Sequence, residues 1–153
     1  MIKIINESFD LENEFKRLNS SENGAYSFFL GTVRSEISSS NENIKGIFLE
    51  SYEELAYAQL ENIRNQALKK WKLSECLIIH RIGKLNLGEK IVLVITASSH
   101  RANAIKACEF VIDSLKIDVA FWKFHLFDND EKEIVLQKNF DNEKMLKWKD
   151  IIN

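Results

Sequence analysis

The hydrophobic period of this chain changes repeatedly between Gly46 and Phe127, and the order of those changes leaves few folds open. Residues 46–52 read as a strand. Residues 53–71 then place Ala56, Leu60, Ile63, Ala67 and Trp71 on one stripe at helical spacing. Two more strand-length runs follow, 76–81 and 90–97, and the connection between them, 82–89, carries Gly83 and Gly88 as turn residues. A second helix runs from His100 to about Leu115, striped by Ile105, Cys108, Ile112 and Leu115, and residues 120–127 return to a strand. The order β-α-β-β-α-β predicts an α+β fold with an antiparallel or mixed sheet, in its simplest form a two-layer sandwich.

Shorter elements flank this core. Residues 1–5 read as a strand, 10–18 as a helix with Leu11, Phe15 and Leu18 on one side, and 25–33 as a strand rich in aromatics. Residues 132–137 suit a last strand, and 141–152 a C-terminal helix with Met145, Trp148 and Ile152 together. The most polar stretch, around Ser38 to Asn43, predicts a mobile loop over about 35–45 of the kind that carries function beside a strand. The chain has no proline and five glycines, so its loops rest on Asn, Ser and Asp, and the few glycines mark turns or close backbone approach. No repeat or linker divides the 153 residues, which read as a single domain, 1–153. That length buries a core without disulfides or a structural metal.

A formal net charge of −2 argues against nucleic acid as the main partner. No run approaches the roughly 18 apolar residues that span a bilayer. The opening residues, Met1 to Glu7, turn acidic too early for a secretory signal, so the expected compartment is the cytoplasm. Cys76 and Cys108 lack ligand spacing and read as small core hydrophobes. No His/Asp/Glu cluster has metal-ligand spacing, and no glycine-rich nucleotide loop is present.

Against that acidic balance, cations gather in the last third of the chain. His100 and Arg101 open the second helix, Lys116 lies near its end, and Lys123 follows seven positions later in Phe121-Trp122-Lys123. Such a gathering points to a local anion site. A helix N-terminus attracts phosphate or carboxylate, and a His-Arg pair there opposes the helix dipole unless an anion compensates. Ser99 serves as the expected N-cap. Lys116 has two ordinary fates, reaching to water or pairing with the last carbonyls, and a less ordinary one as a partly desolvated amine in catalysis. On the strand 120–127, Trp122, Phe124 and Leu126 form the apolar face with Ala120, while Lys123 and His125 point away from it. Arg34 leaves a strand for the polar loop, as a solvated arginine or a bidentate phosphate ligand. His80-Arg81 sits within a strand and reads as structural.

These segments together resemble the large, catalytic subunit of molybdopterin synthase, over roughly residues 2–137. The likeness lies in Gly24-Ala25 through Phe29, Gly31 and Val33-Arg34, in Leu49-Glu50-x-Tyr52, in Ile79-His80-Arg81-Ile82-Gly83-x-Leu85, and in Ser99-His100-Arg101. It continues in Asp113-x-Leu115-Lys116 and Phe121-Trp122-Lys123. The resemblance implies an α/β-hammerhead fold and two sulfur transfers that turn cyclic pyranopterin monophosphate into the dithiolene molybdopterin. It implies as sulfur donor the C-terminal Gly-Gly thiocarboxylate of a small ubiquitin-like subunit. It further implies a homodimer of large subunits within a heterotetramer, and no cofactor. By the same resemblance Lys116 and Lys123 would be catalytic, and Val33, Arg34, His100 and Arg101 would bind substrate.

The chain departs from that family's pattern at four places. Ala120 stands where proline is common before Phe-Trp-Lys. Phe124 and His125 replace a basic residue and a glutamate, and Ser51 replaces a histidine. Two other readings therefore compete: a non-catalytic paralogue that keeps the partner, and a small-ligand or single-stranded RNA module using aromatic strands as a stacking platform.

Overall fold

The computed structural model describes residues 1–38, 42–128, 131–135 and 148. Three helices and eight strands form among them, the strands divided equally between two sheets. The first sheet has the order β1-β4-β6-β2, from β1 (Ile2–Ile5), β4 (Glu75–Arg81), β6 (Lys90–Ser98) and β2 (Ala25–Thr32). It is mixed: β1 runs parallel to β4, and the other pairs are antiparallel. The second sheet, β5-β3-β7-β8, is antiparallel and consists of β5 (Gly83–Asn86), β3 (Gly46–Ser51), β7 (Phe121–Leu126) and β8 (Lys132–Ile134).

The first sheet is covered on both faces. Helices α2 (Glu53–Lys70) and α3 (Arg101–Asp118) pack on the face carrying Cys76, Ile78, Val92 and Val94. Helix α1 (Leu11–Leu18) and Phe9 pack on the opposite face, against Leu77, Ile79, Leu93 and Ile95. This is why β4 and β6 read as continuous apolar runs rather than alternating ones: every side chain has a core to enter. The expected α+β class stands, but the simple two-layer sandwich becomes two sheets, one of them covered on both faces. The expected strand order also gains a member, because the connection 82–89 contains β5. Gly83, at φ +83°, lets the chain leave β4 and enter the second sheet directly, and Gly88, at φ +82°, closes the turn that leads back to β6.

The stripe Ala56, Leu60, Ile63, Ala67 and Trp71 is buried as its spacing requires. The second helix is one residue shorter at its start than expected. His100 is its N-cap, without a side-chain cap bond, and Ser98 Oγ accepts the His100 N–H at 3.4 Å where a Ser99 cap was expected. Its stripe is also rotated: Ile105 is exposed, and Ala104, Ala107, Phe110 and Val111 join Cys108, Ile112 and Leu115 inside. Small alanines let α3 lie close to the sheet, and Thr96 Oγ1 on β6 donates to the Ala104 carbonyl at 2.7 Å.

Both cysteines are buried in the α2–α3 core, and burial pushes the Cys76 thiol up to about 12 and raises that of Cys108. Neither is suited to nucleophilic work. The expected C-terminal helix lies outside the described residues except for Trp148. That side chain is buried against Trp71 and Phe110, with its Nε1–H donating to Asp113 Oδ2 at 3.0 Å. No helix among the described residues is long and apolar enough to cross a membrane.

Candidate functional site

The site forms where the segment after β2 folds back over β7. Val33 is buried in the core of the second sheet with Ile44, Ile47, Leu49 and Leu85. Its N–H donates to the Glu89 carbonyl at 2.9 Å, and its carbonyl accepts from Gly88 N at 2.7 Å. Val33 thus fixes the point from which Arg34 leaves the sheet. Within the segment expected to be a mobile loop, the described residues make backbone hydrogen bonds. Ile44 N–H donates to the Glu36 carbonyl at 3.3 Å, Ser38 N–H to the Glu42 carbonyl at 2.9 Å, and Ile37 bridges Asn43. Ile44 is 2% exposed, an apolar anchor inside a stretch whose polarity hid it. Lys45 N–H then donates to the Leu126 carbonyl at 2.8 Å, tying the return limb to the end of β7.

This clamp brings Glu36 over β7. Its Oε2 accepts from Lys123 Nζ at 3.0 Å and lies 3.1 Å from His125 Nε2, while Oε1 accepts from Arg34 Nε at 2.8 Å. Burial alone would raise the Glu36 carboxyl, but hydrogen bonds from Arg34, Lys123 and His125, with the Lys123 charge, hold it at about 2. Sequence reading selected Arg34 and Lys123 and passed over Glu36, which joins them. The departure at His125 removed an expected carboxylate from β7, yet a carboxylate stands beside Lys123, supplied by the other segment.

The orientation of β7 differs from expectation. Lys123 and His125 do share a face, opposite Leu49 and Ile47 of β3. That face turns inward: Phe121 stacks on buried His80 at 3.9 Å between centroids, and His125 is buried. The face thought to be the apolar layer is the more open one at its start, with Trp122 46% exposed. Counting apolar residues on a strand measures hydrophobicity and not direction, and here the inward face is filled by rings.

The other cations lie around α3. His100 and Arg101 are exposed at its N-terminus, whose first turn contains no acidic residue. Lys116 is exposed in its last turn. The chain then turns sharply into β7, with Phe121 N–H donating to the Val119 carbonyl at 2.8 Å and Ala120 N–H to Gln59 Oε1 at 2.9 Å. A proline at 120 would lack that second donor, so this turn is held by α2 instead of by a ring. A groove of about 660 Å³ is lined by Phe48, Glu50, Tyr52 and Trp122, together with Ser51, whose buried Oγ has no hydrogen-bond partner among the described residues. The groove lies on the Trp122 side of β7, opposite the Lys123 and His125 side chains, and includes none of the six predicted site residues.

His80 and Arg81 are structural, as expected. His80 Nδ1 lies 2.8 Å from the Arg81 carbonyl, and burial lowers its imidazole to about 4. Arg81 donates to the Lys90 and Asn6 carbonyls. His80 and Glu36, both depressed, define separate acid windows. A carboxyl or imidazole depressed by folding stabilises the protein above its unfolded value and loses that contribution as pH falls through its folded value. Stability is therefore expected to fall first between about pH 6.5 and 4, through His80, and again between about pH 4.5 and 2, through Glu36. Urea midpoints measured against pH check this, since Glu36→Gln should flatten the second window and leave the first.

The chain matches the family model described as MoaE protein over residues 4–118. It is 36% identical over 125 residues to the molybdopterin synthase catalytic subunit of Pyrococcus abyssi, covering 82% of this chain and 83% of that one. Its fold aligns with the molybdopterin biosynthesis MoaE protein of Burkholderia ambifaria at a TM-score of 0.79 and 32% identity, over 97% of each chain. It also aligns, at a TM-score of 0.73 and 25% identity over 90% of each chain, with a protein–protein complex of subunits 1 and 2 of molybdopterin-converting factor from Helicobacter pylori. The chain belongs to the MoaE protein family.

Proposed function

We propose that this chain is the catalytic subunit of a molybdopterin synthase, a cytoplasmic sulfurtransferase of molybdenum cofactor biosynthesis. It takes sulfur from the C-terminal thiocarboxylate of a small ubiquitin-like partner ending in Gly-Gly and places it on cyclic pyranopterin monophosphate. The observation that carries the reading is the meeting of Arg34 and Lys123, chosen from separate segments of the sequence, at one carboxylate. The names of the relatives and the two-subunit complex from H. pylori support it.

In each transfer a C–S bond forms between the thiocarboxylate sulfur and a pterin side-chain carbon as a C–O bond at that carbon breaks, its oxygen leaving as the opened phosphate ester or as water. The acyl C–S bond breaks when water adds to the acyl carbon, and a carboxylate remains on the partner. Two rounds complete the dithiolene. Lys116 and Lys123 would polarise the acyl carbonyl and carry protons. Arg34, His100 and Arg101 would hold the phosphate and pterin, with Val33 fixing Arg34 at the edge of the sheet. The working assembly is a homodimer of this chain within a heterotetramer, in which the second copy completes part of the pocket.

The test is single-turnover conversion of cyclic pyranopterin monophosphate by the full chain with its thiocarboxylated partner. Dithiolene product is expected. A partner complex that forms but gives no product would make the chain a non-catalytic paralogue. Arg101→Ala should raise KM on the order of 10- to 100-fold, the worth of a charged hydrogen bond, with kcat little changed. An unchanged KM would remove Arg101 from the phosphate site.

A further inference from the structure

We propose that Glu36 is a positioning residue of this site, holding the Lys123 ammonium, the His125 ring and the Arg34 guanidinium around one point over β7. The proposal rests on the synthase reading and adds to it a residue that acts through Lys123. Two donors meet Glu36 Oε2, Lys123 Nζ at 3.0 Å and His125 Nε2 at 3.1 Å, and Arg34 Nε meets Oε1 at 2.8 Å. The carboxylate is the more enclosed partner, its side chain 22% exposed against 75% for Arg34, so Arg34 is drawn to Glu36 and not the reverse.

The backbone beneath it is fixed at both ends. Val33 bonds to Glu89 and Gly88 on one side, and the Glu36 carbonyl accepts from buried Ile44 on the other. An exposed ion pair between two long side chains orients little. A carboxylate on a pinned backbone, shared by three donors, fixes where a flexible lysine points. The low proton affinity of Glu36 suits this role, because the group stays ionised near neutrality and works by charge and direction. Glu36 takes one of the three N–H groups of Lys123 and one of the five of Arg34, so each cation is aimed without being saturated.

The experiment compares wild type, Glu36→Gln and Glu36→Asp as full chains with the thiocarboxylated partner. Glu36→Gln should lower kcat on the order of 10- to 100-fold, the effect of misplacing a reacting group, with KM little changed. Glu36→Asp, which keeps the charge but has a shorter reach, should fall between the two. A second readout needs no turnover: trace acetylation by acetic anhydride, read by mass spectrometry. Lys123 should label several-fold faster in Glu36→Gln than in wild type, while exposed Lys84 labels equally in both. A general loosening of the fold would raise the labelling of Lys84 as well, and an ion pair of structural role alone would leave kcat unchanged. An unchanged kcat in Glu36→Gln, or equal labelling of Lys123 in the two proteins, overturns the proposal. If wild type itself transfers no sulfur, the synthase reading fails, and the labelling ratio still decides whether Glu36 holds Lys123.

Discussion

Lys123→Ala is expected to lower the rate of sulfur transfer by at least about 10²- to 10³-fold, the scale seen when one preorganised donor to a developing oxyanion is removed. The loss should fall on kcat, because under the proposed role the ammonium would be needed most when negative charge gathers on the acyl oxygen. The fold should survive. The Lys123 side chain is one-third exposed and pairs with Glu36, which keeps Arg34 Nε and His125 Nε2 when the amine is gone. β7 keeps its backbone pairing with β3 and β8. Single-turnover kinetics, a melting curve and partner affinity by calorimetry together separate the cases. Full loss of rate with unchanged melting and binding is the expected result. Lys123→Ala turning over within tenfold of wild type would remove the amine from the chemistry. Lys116→Ala, at the exposed end of α3, should behave in the same direction, and the ratio of the two losses ranks their roles.

How much of this could be read in advance follows from the range of each interaction. The α2 stripe was legible because helical spacing is local, and each of its five apolar positions is buried. The cations Arg34 and Lys123 were legible as types in place, and the family resemblance supplied roles for them. Glu36 was not. It lies in a polar run with no pattern, and its partners Lys123 and His125 are 87 and 89 positions away. Nothing short of the contacts that Glu36 and Lys45 make with β7 brings them together. β5 was hidden for a related reason, since a short run that opens on one turn glycine and stops just before another reads as a loop until β3 supplies its partners. The inward turn of Lys123 and His125 was missed because direction on a strand depends on what covers each face. Here Phe121 and His80 stack on the side that carries the charges.

Trp148→Ala tests whether the far end of the chain is part of the same cooperative unit. The indole is 2% exposed and meets Trp71 and Phe110 edge-on at 5.9 and 5.6 Å between centroids. Its Nε1–H donates to Asp113 on α3. Removing a buried tryptophan costs about 3–5 kcal/mol, which in a chain of this size lowers the melting temperature by roughly 6–20 °C. A Trp148→Phe variant keeps one aromatic ring in the site but loses the hydrogen bond and part of the buried volume, so it should recover part of that loss. The consequence reaches function through one helix. Phe110 and Asp113 lie on α3 just before Lys116, so a core loosened at Trp148 lets the end of α3 move. Trp148→Ala should therefore lower kcat at temperatures well below its own melting point, and Trp148→Phe should restore part of it. If Trp148→Ala melts within two or three degrees of wild type, the indole is a lid resting on a finished core, and Lys116 takes its position from α2 and the first sheet alone.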